Sequence, residues 1–301
     1  MQTKRNRTIK IFFMKLIKKI NLLPIVNFRL KIIYDDKSVY IPIIKGIGYA
    51  NLFLAPNWLT ELTRHLLAIE YGAFIDVGVN VGQTLIAIKT IDKRINYIGF
   101  EPNVICCSYL NELIAINNYQ KTDVYNLALN DKMQHLLLEL NYETDSRASI
   151  VPQLRPNFFS KKQRILALTF DELQLKEKIS IIKIDVEGAE YEVIKGMERA
   201  ITDNQPFIFC EVLDIHSTEA EAFTREKVKS LCTMLSSLNY GIAQLEQSTN
   251  KGKIVNYVLL DEIDVKQWTK ESSKFNDYIF YPLFKKESLE LILQNLLHEN
   301  V

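Results

Sequence analysis

The sequence has no CxxC pair, no long uninterrupted apolar run and no surplus of charge of either sign. A membrane-spanning helix needs about 20 consecutive apolar residues. The best candidate, TIKIFFMKLIKKINLL, is interrupted by Lys15, Lys18 and Lys19. It also lacks the small-residue cleavage site of a signal peptide. Cys106, Cys107, Cys210 and Cys232 have no metal-clamp spacing and read as small hydrophobes of a reducing compartment. A net charge of +1 gives no global field to hold a phosphate backbone, so nucleic acid is not an expected partner. The GxGxxG fingerprint of a dinucleotide fold is missing too. Acids are missing from residues 1 to 31, which carry nine Lys and Arg.

What is present is a chain of 301 residues, 48% of them hydrophobic, enough for a substantial core. Residues 1–56 read as an appendage, a basic amphipathic helix followed by a β-hairpin in which the DDKS turn joins two apolar runs. The helix, over residues 8–23, either docks on the domain or on a second copy of the chain, or lies on an anionic membrane. Residues 57–262 read as the catalytic domain. A helix at 57–71, capped by Asn57 or Thr60, precedes strand AFIDV, helix QTLIAIKTI, strand INYIGFE, helix VICCSYLNELIAINN and strand DVYNLAL. That alternation predicts a parallel sheet covered by helices. After a polar insertion between HLLLEL and ILALTF it resumes with ISIIKID, the helix GAEYEVIKGMERAI, QPFIFCEVL and a helix closed by Gly241, with GKIVNYVLL as the last strand. Residues 263–301 read as a helical tail.

The sharpest local signal is the turn after AFIDV. Gly78, Asn80 and Gly82 are spaced for a tight strand-to-helix turn, with Gly82 expected to clear space for a ligand. Glu101, followed by Pro102, ends the next strand, where a carboxylate can accept two hydrogen bonds from a ribose. Turn and acid together imply an adenosine-containing cofactor. Asp76 would repel a diphosphate but attract an ammonium, which favours S-adenosylmethionine over NAD. Asn130 and Asp131, after the third strand, are expected at the adenine amino group or as turn caps. The second signal is Asp185-Val-Glu187-Gly-Ala-Glu190, at a strand end facing the same crevice. Glu211 ends the following strand and His216 lies just beyond it.

IDVGVNVGQT, IGFEPN, LALND, TFDEL, IIKIDVEGAEYEVIKGM and PFIFCEV occur in this order over roughly residues 60–215, and together they closely resemble the FkbM-type family of S-adenosylmethionine-dependent methyltransferases. The resemblance implies an α/β class I methyltransferase (Rossmann-like) fold. That fold has a seven-stranded, mostly parallel sheet, helices on both faces and an antiparallel last strand. It implies O-methylation, often of sugar hydroxyls in glycans or surface polysaccharides. It places Asp76, Gly78, Asn80 and Gly82 in the cofactor turn, Glu101 at the ribose, Asp131 on the adenine side, and Asp185, Glu187 and Gly188 in the family's second block. Val79 stands where the family often has alanine, and DSRAS only loosely echoes its serine- and glycine-rich insertion.

A sugar hydroxyl is a poor acid, so its methylation calls for a base. His216 is the leading candidate because its free pKa is near neutral. Asp185, Glu187 and Glu211 compete, and a divalent ion held by those three acids is a weaker alternative to a metal-free site. The expected partners are S-adenosylmethionine and a small-molecule or glycan hydroxyl acceptor, with homo-oligomerisation open. The expected location is cytoplasmic, either free or peripheral to the inner face of the membrane. A small-molecule amino acceptor, an NAD-dependent oxidoreductase and a non-catalytic scaffold are the competing readings.

Overall fold

The computed structural model describes residues 15–248 and 252–299. Residues 8–14 of the expected amphipathic helix lie outside that range, and residues 15–19 are helical. The hairpin follows. β1 (Asn27–Tyr34) and β2 (Lys37–Ile44) pair antiparallel through a two-residue turn, Asp35-Asp36. Both turn residues have positive φ, 47° and 58°, the left-handed pair whose twist matches that of the strands. Asn57 caps α1 (Trp58–Ile69) by accepting from the Thr60 amide at 3.3 Å.

The expected alternation then unrolls as β3 (Ala73–Val77), α2 (Gln83–Ile91), β4 (Tyr97–Phe100), α3 (Val104–Asn117) and β5 (Thr122–Tyr125). DVYNLAL is not one strand. The chain leaves the sheet at Asn126, whose side chain donates to the Glu101 carbonyl at 3.0 Å. It then enters a separate three-stranded sheet of β6 (Ala128–Leu129), β7 (Gln134–Leu140) and β8 (Lys161–Leu168). The main sheet resumes with β9 (Ile179–Ile184). The expected single helix after it is two, α4 (Glu190–Lys195) and α5 (Glu198–Asn204). They break at Gly196, where a Cβ would lie 2.0 Å from the Asn130 carbonyl oxygen.

β10 (Phe207–Glu211), α6 (Glu221–Ser237), β11 (Tyr240–Gln247), β12 (Ile254–Leu260), β13 (Asp277–Pro282) and α7 (Lys286–Glu299) complete the chain. Gly241 does not close a helix. It sits in β11 opposite Tyr281, whose ring occupies the space a Cβ would need, 2.5 Å from its Cζ. The segment 263–301, expected as helical, supplies β13 to the interior of the sheet as well as α7.

Among the described residues the main sheet has eight strands, not seven, in the order β12-β11-β13-β10-β9-β3-β4-β5. β13 runs antiparallel between β10 and β11, and β12 is an added antiparallel edge strand. Alternate residues feed two cores. Phe74, Ile181 and Phe209 face α1, α2, α3 and α7, and Ile75, Ile182 and Ile208 face α4, α5 and α6. Both faces are covered, which is why these strands read as continuous apolar runs. No described helix is long and apolar enough to cross a membrane. The carboxyl ends of β3, β4 and β9 open on one crevice.

Candidate functional site

The crevice begins at the turn between β3 and α2, where Gly78, Asn80 and Gly82 have φ of 88°, 49° and 79°. A Cβ on Gly78 would lie 2.0 Å from the Asp185 carbonyl oxygen, so glycine lets the ends of β3 and β9 touch. Gly82 serves a different purpose from the one expected. Its missing Cβ would meet Leu110 and Leu113 of α3 at 2.8 Å, and the residue does not line the cavity. Its freedom lets two helices pack.

Glu101 is buried at the end of β4. Its Oε2 accepts from the Asn80 amide at 2.7 Å and its Oε1 from the Asn103 amide at 2.8 Å. Burial raises its pKa to about 7 against the pull of those two donors. Each carboxylate oxygen has a second lone pair beyond the one those amides use, and Glu101 lines the cavity with Gly78, Asn80 and Pro102.

The opposite wall is the turn from β9 into α4. Lys183 lies between two acids, 3.3 Å from Asp76 and 3.2 Å from Asp185. Burial opposes its charge, yet the Asp185 and Asp76 carboxylates hold the ammonium above its usual range. Asp76 is fully buried, accepts from Lys183 and the Tyr97 hydroxyl, and does not line the cavity. The cation that it meets is internal to the chain, which corrects the expectation that it faces a ligand. The acid that reaches the cavity is Asp185, its side chain 35% exposed.

Glu187 and Gly188 turn the chain with φ of 56° and 110°. A glutamate in the left-handed region is uncommon and costs about 1–3 kcal/mol. The insertion after β7 holds it there. Ser149 donates to the Glu187 carbonyl at 2.7 Å, and Leu154 packs over Gly188, where a Cβ would come within 1.9 Å of its Cδ1. Val151, Leu154, Ala189 and Leu213 form a small core beneath. Arg155 lies 2.8 Å from the Glu187 carboxylate. Burial nevertheless raises the Glu187 pKa to about 7, with Arg155 pulling the other way.

Two cavities meet at this turn. The first is lined by Gly78, Asn80, Glu101 and Asp185, with Asp145 and Ser146 of the insertion as one wall. The second is lined by Arg155, Glu211, His216 and the half-exposed Trp268. Glu187 borders both. His216 stacks on Trp268 at 5.6 Å and accepts from Arg155 at 3.3 Å. Burial and the Arg155 charge lower its pKa to about 4, so it is a weak base. Asn130 and Asp131 line neither cavity. Asn130 accepts from the Asp131 amide at 2.7 Å, and Asp131 pairs with Lys195 at 3.0 Å. Asp185 and Glu211 face different cavities, and the described residues contain no group of three or more His, Cys, Asp or Glu able to hold a metal ion.

Nothing local in the sequence marks Arg155, since its partners Glu187 and His216 are about 30 and 60 positions away. Lys183 was readable: a lysine inside the buried strand IIKI needs a carboxylate partner.

Glu101, Asp145, Asp185 and Glu187 against one lysine make the first cavity a poor host for a diphosphate. Asp185, the acid of the Asp76–Lys183–Asp185 cluster that lines the cavity, suits an ammonium or sulfonium, and Glu101 suits a ribose. The residues present fit S-adenosylmethionine.

The family model described as the methyltransferase FkbM domain matches residues 76–242, more than half of the chain. Among solved structures, the chain is similar to methyltransferase FkbM from Methylobacillus flagellatus KT, with 16% identity and a TM-score of 0.43, covering 70% of this chain and 43% of that one. It is similar to a putative caffeoyl-CoA O-methyltransferase from Staphylococcus aureus, with 12% identity and a TM-score of 0.40, covering 74% and 81%. A putative O-methyltransferase from Klebsiella pneumoniae shows 10% identity and a TM-score of 0.39, covering 74% and 79%. The chain thus spans less than half the length of the first of these. No curated protein matches it.

Proposed function

The chain belongs to the FkbM family of S-adenosylmethionine-dependent methyltransferases, and from that premise we propose that it methylates a hydroxyl of a sugar, glycan or related small molecule. Membership sets aside the oxidoreductase and scaffold readings. The observation that carries the proposal is that Glu187 borders both cavities, so one side holds the methyl donor and the other the acceptor.

S-adenosylmethionine, when bound, supplies a methyl group on a positively charged sulfur. Glu101 accepts from the ribose hydroxyls, and Asp185 faces the ammonium. Leu127, Ala128 and Leu129 give an apolar wall for the base. In the second cavity, Trp268 offers a flat face to the apolar side of a sugar ring, and Arg147 and Glu211 offer a donor and an acceptor for its hydroxyls. Glu187 takes the hydroxyl proton. A base with a pKa near 7 combines the deprotonated form with proton affinity at neutral pH. Arg155 holds the carboxylate and, through His216, is tied to the Trp268 side of the acceptor cavity. His216 passes from leading base to positioning residue.

Titration calorimetry on the full chain tests the donor side. The expected result is saturable binding of S-adenosylmethionine and S-adenosylhomocysteine and none of NAD. A panel of sugars and amines, with the product's methyl group located by NMR, tests the acceptor side. An N-methyl product would overturn the hydroxyl assignment.

A further inference from the structure

We propose that the face built from residues 15–31 and Lys45 docks on a bilayer containing anionic lipid. The proposal does not depend on the identity of the methyl acceptor. Residues 1–60 hold eleven Lys and Arg against two acids, Asp35 and Asp36, while residues 61–301 carry eight more acids than bases. The near-zero net charge therefore conceals a strongly polar molecule. Asp35 is itself neutralised by Arg64 at 2.6 Å.

On this basic end the fold sorts side chains by direction. Leu23 is buried against Gly46, and Ile17 packs on the core. The Lys18 ammonium sits 4.9 Å over the Tyr49 ring. These contacts fix the segment to the domain. Its other side turns Leu16, Ile20, Leu22 and Ile25 outward, with Ile25 75% exposed. Lys15, Lys19, Arg29, Lys31 and Lys45 are exposed on the same segment and the hairpin that follows it. Exposed aliphatic residues interspersed with exposed lysine and arginine match an interface where acyl chains lie beneath anionic headgroups. A nucleic-acid backbone would use the charges but leave the aliphatic residues without a partner. Two copies facing each other through this patch would bring like charges together.

The test is co-sedimentation of the full chain with vesicles of phosphatidylcholine alone and of phosphatidylcholine with roughly one-third phosphatidylglycerol. Binding to the mixed vesicles should be about tenfold tighter or more and weaken with salt. Lys19→Gln/Lys45→Gln should lower that affinity by about tenfold or more. Ile20→Ser/Ile25→Ser should lower it by at least as much, because both side chains leave the headgroup boundary. Cofactor affinity measured on the same samples should stay at the parent value, which establishes that the variants are folded. Equal binding to both vesicle types, or none, overturns the proposal. So does tight binding of an RNA duplex that the isoleucine changes leave intact, or a parent dimer that those changes dissociate without any vesicle binding.

Discussion

At Glu187 three unusual features coincide: a left-handed backbone, burial beside an arginine, and a place on the border of two cavities. The deprotonated carboxylate is the form that accepts a proton, so turnover of the parent should fall as pH drops below about 7. Glu187→Gln should remove that limb of the pH profile. It should also lower kcat by about 10²–10⁴-fold with cofactor affinity unchanged. Parental turnover in the variant would end its role as base. Glu101→Ala should act on the other parameter. Loss of charge-assisted hydrogen bonds of about 1.5–3 kcal/mol each predicts at least tenfold weaker S-adenosylmethionine binding by calorimetry. Asp76→Asn separates two accounts of one residue. A ligand-facing acid would change affinity alone, whereas a carboxylate buried against Lys183 should cost about 3–5 kcal/mol of stability, read as a lower Tm.

Among the elements, the insertion between β7 and β8 does what no strand end does alone: it walls the first cavity and supplies Arg155 to the second. Its attachment rests on Leu154 over Gly188. Leu154→Ala leaves a void under the segment and should cost about 2–5 kcal/mol. Proteolysis within residues 141–160 should accelerate and kcat should fall. Equal proteolysis rates would mean that the insertion is held by other contacts. The parallel βα units were legible in the sequence because each carries its own apolar period and its own glycine or acid at the strand end. β11 and β13 were not. Gly241 reads as a helix stop until Tyr281 is seen filling its space. β13 has the register of its neighbours for a signal, and that signal lies 34 to 72 positions away.

In the whole molecule, burial shifts several acids in one direction. Glu101, Glu187 and Glu190 each have a pKa raised to about 7, first through desolvation. Between about pH 4.5 and 7 the folded chain therefore holds more protons than the unfolded chain at these sites, and stability declines as pH rises through that window. His216, lowered to about 4, acts in the opposite sense between about pH 4 and 6.5, but as one group against three. The Tm of the ligand-free protein should thus fall from pH 5 to pH 8, and a rise would show that these carboxyls ionise freely. Sequence by itself determined the alternating fold class, the β3 turn, the strand-end acid Glu101 and the basic N-terminal end. Each rests on neighbours a few positions apart, where local sterics and period leave few options. Tertiary structure alone decided which acids face a cavity. Asp76 and Asp185 stand at comparable strand ends. One is enclosed where Lys183 and Tyr97 meet it, and the other, also paired with Lys183, keeps 35% of its side chain exposed at the cavity. It also decided the split of Gly78 and Gly82 between cavity and packing, and the meeting of Glu187 with Arg155. Those depend on which surfaces come to rest against each other once the sheet has closed.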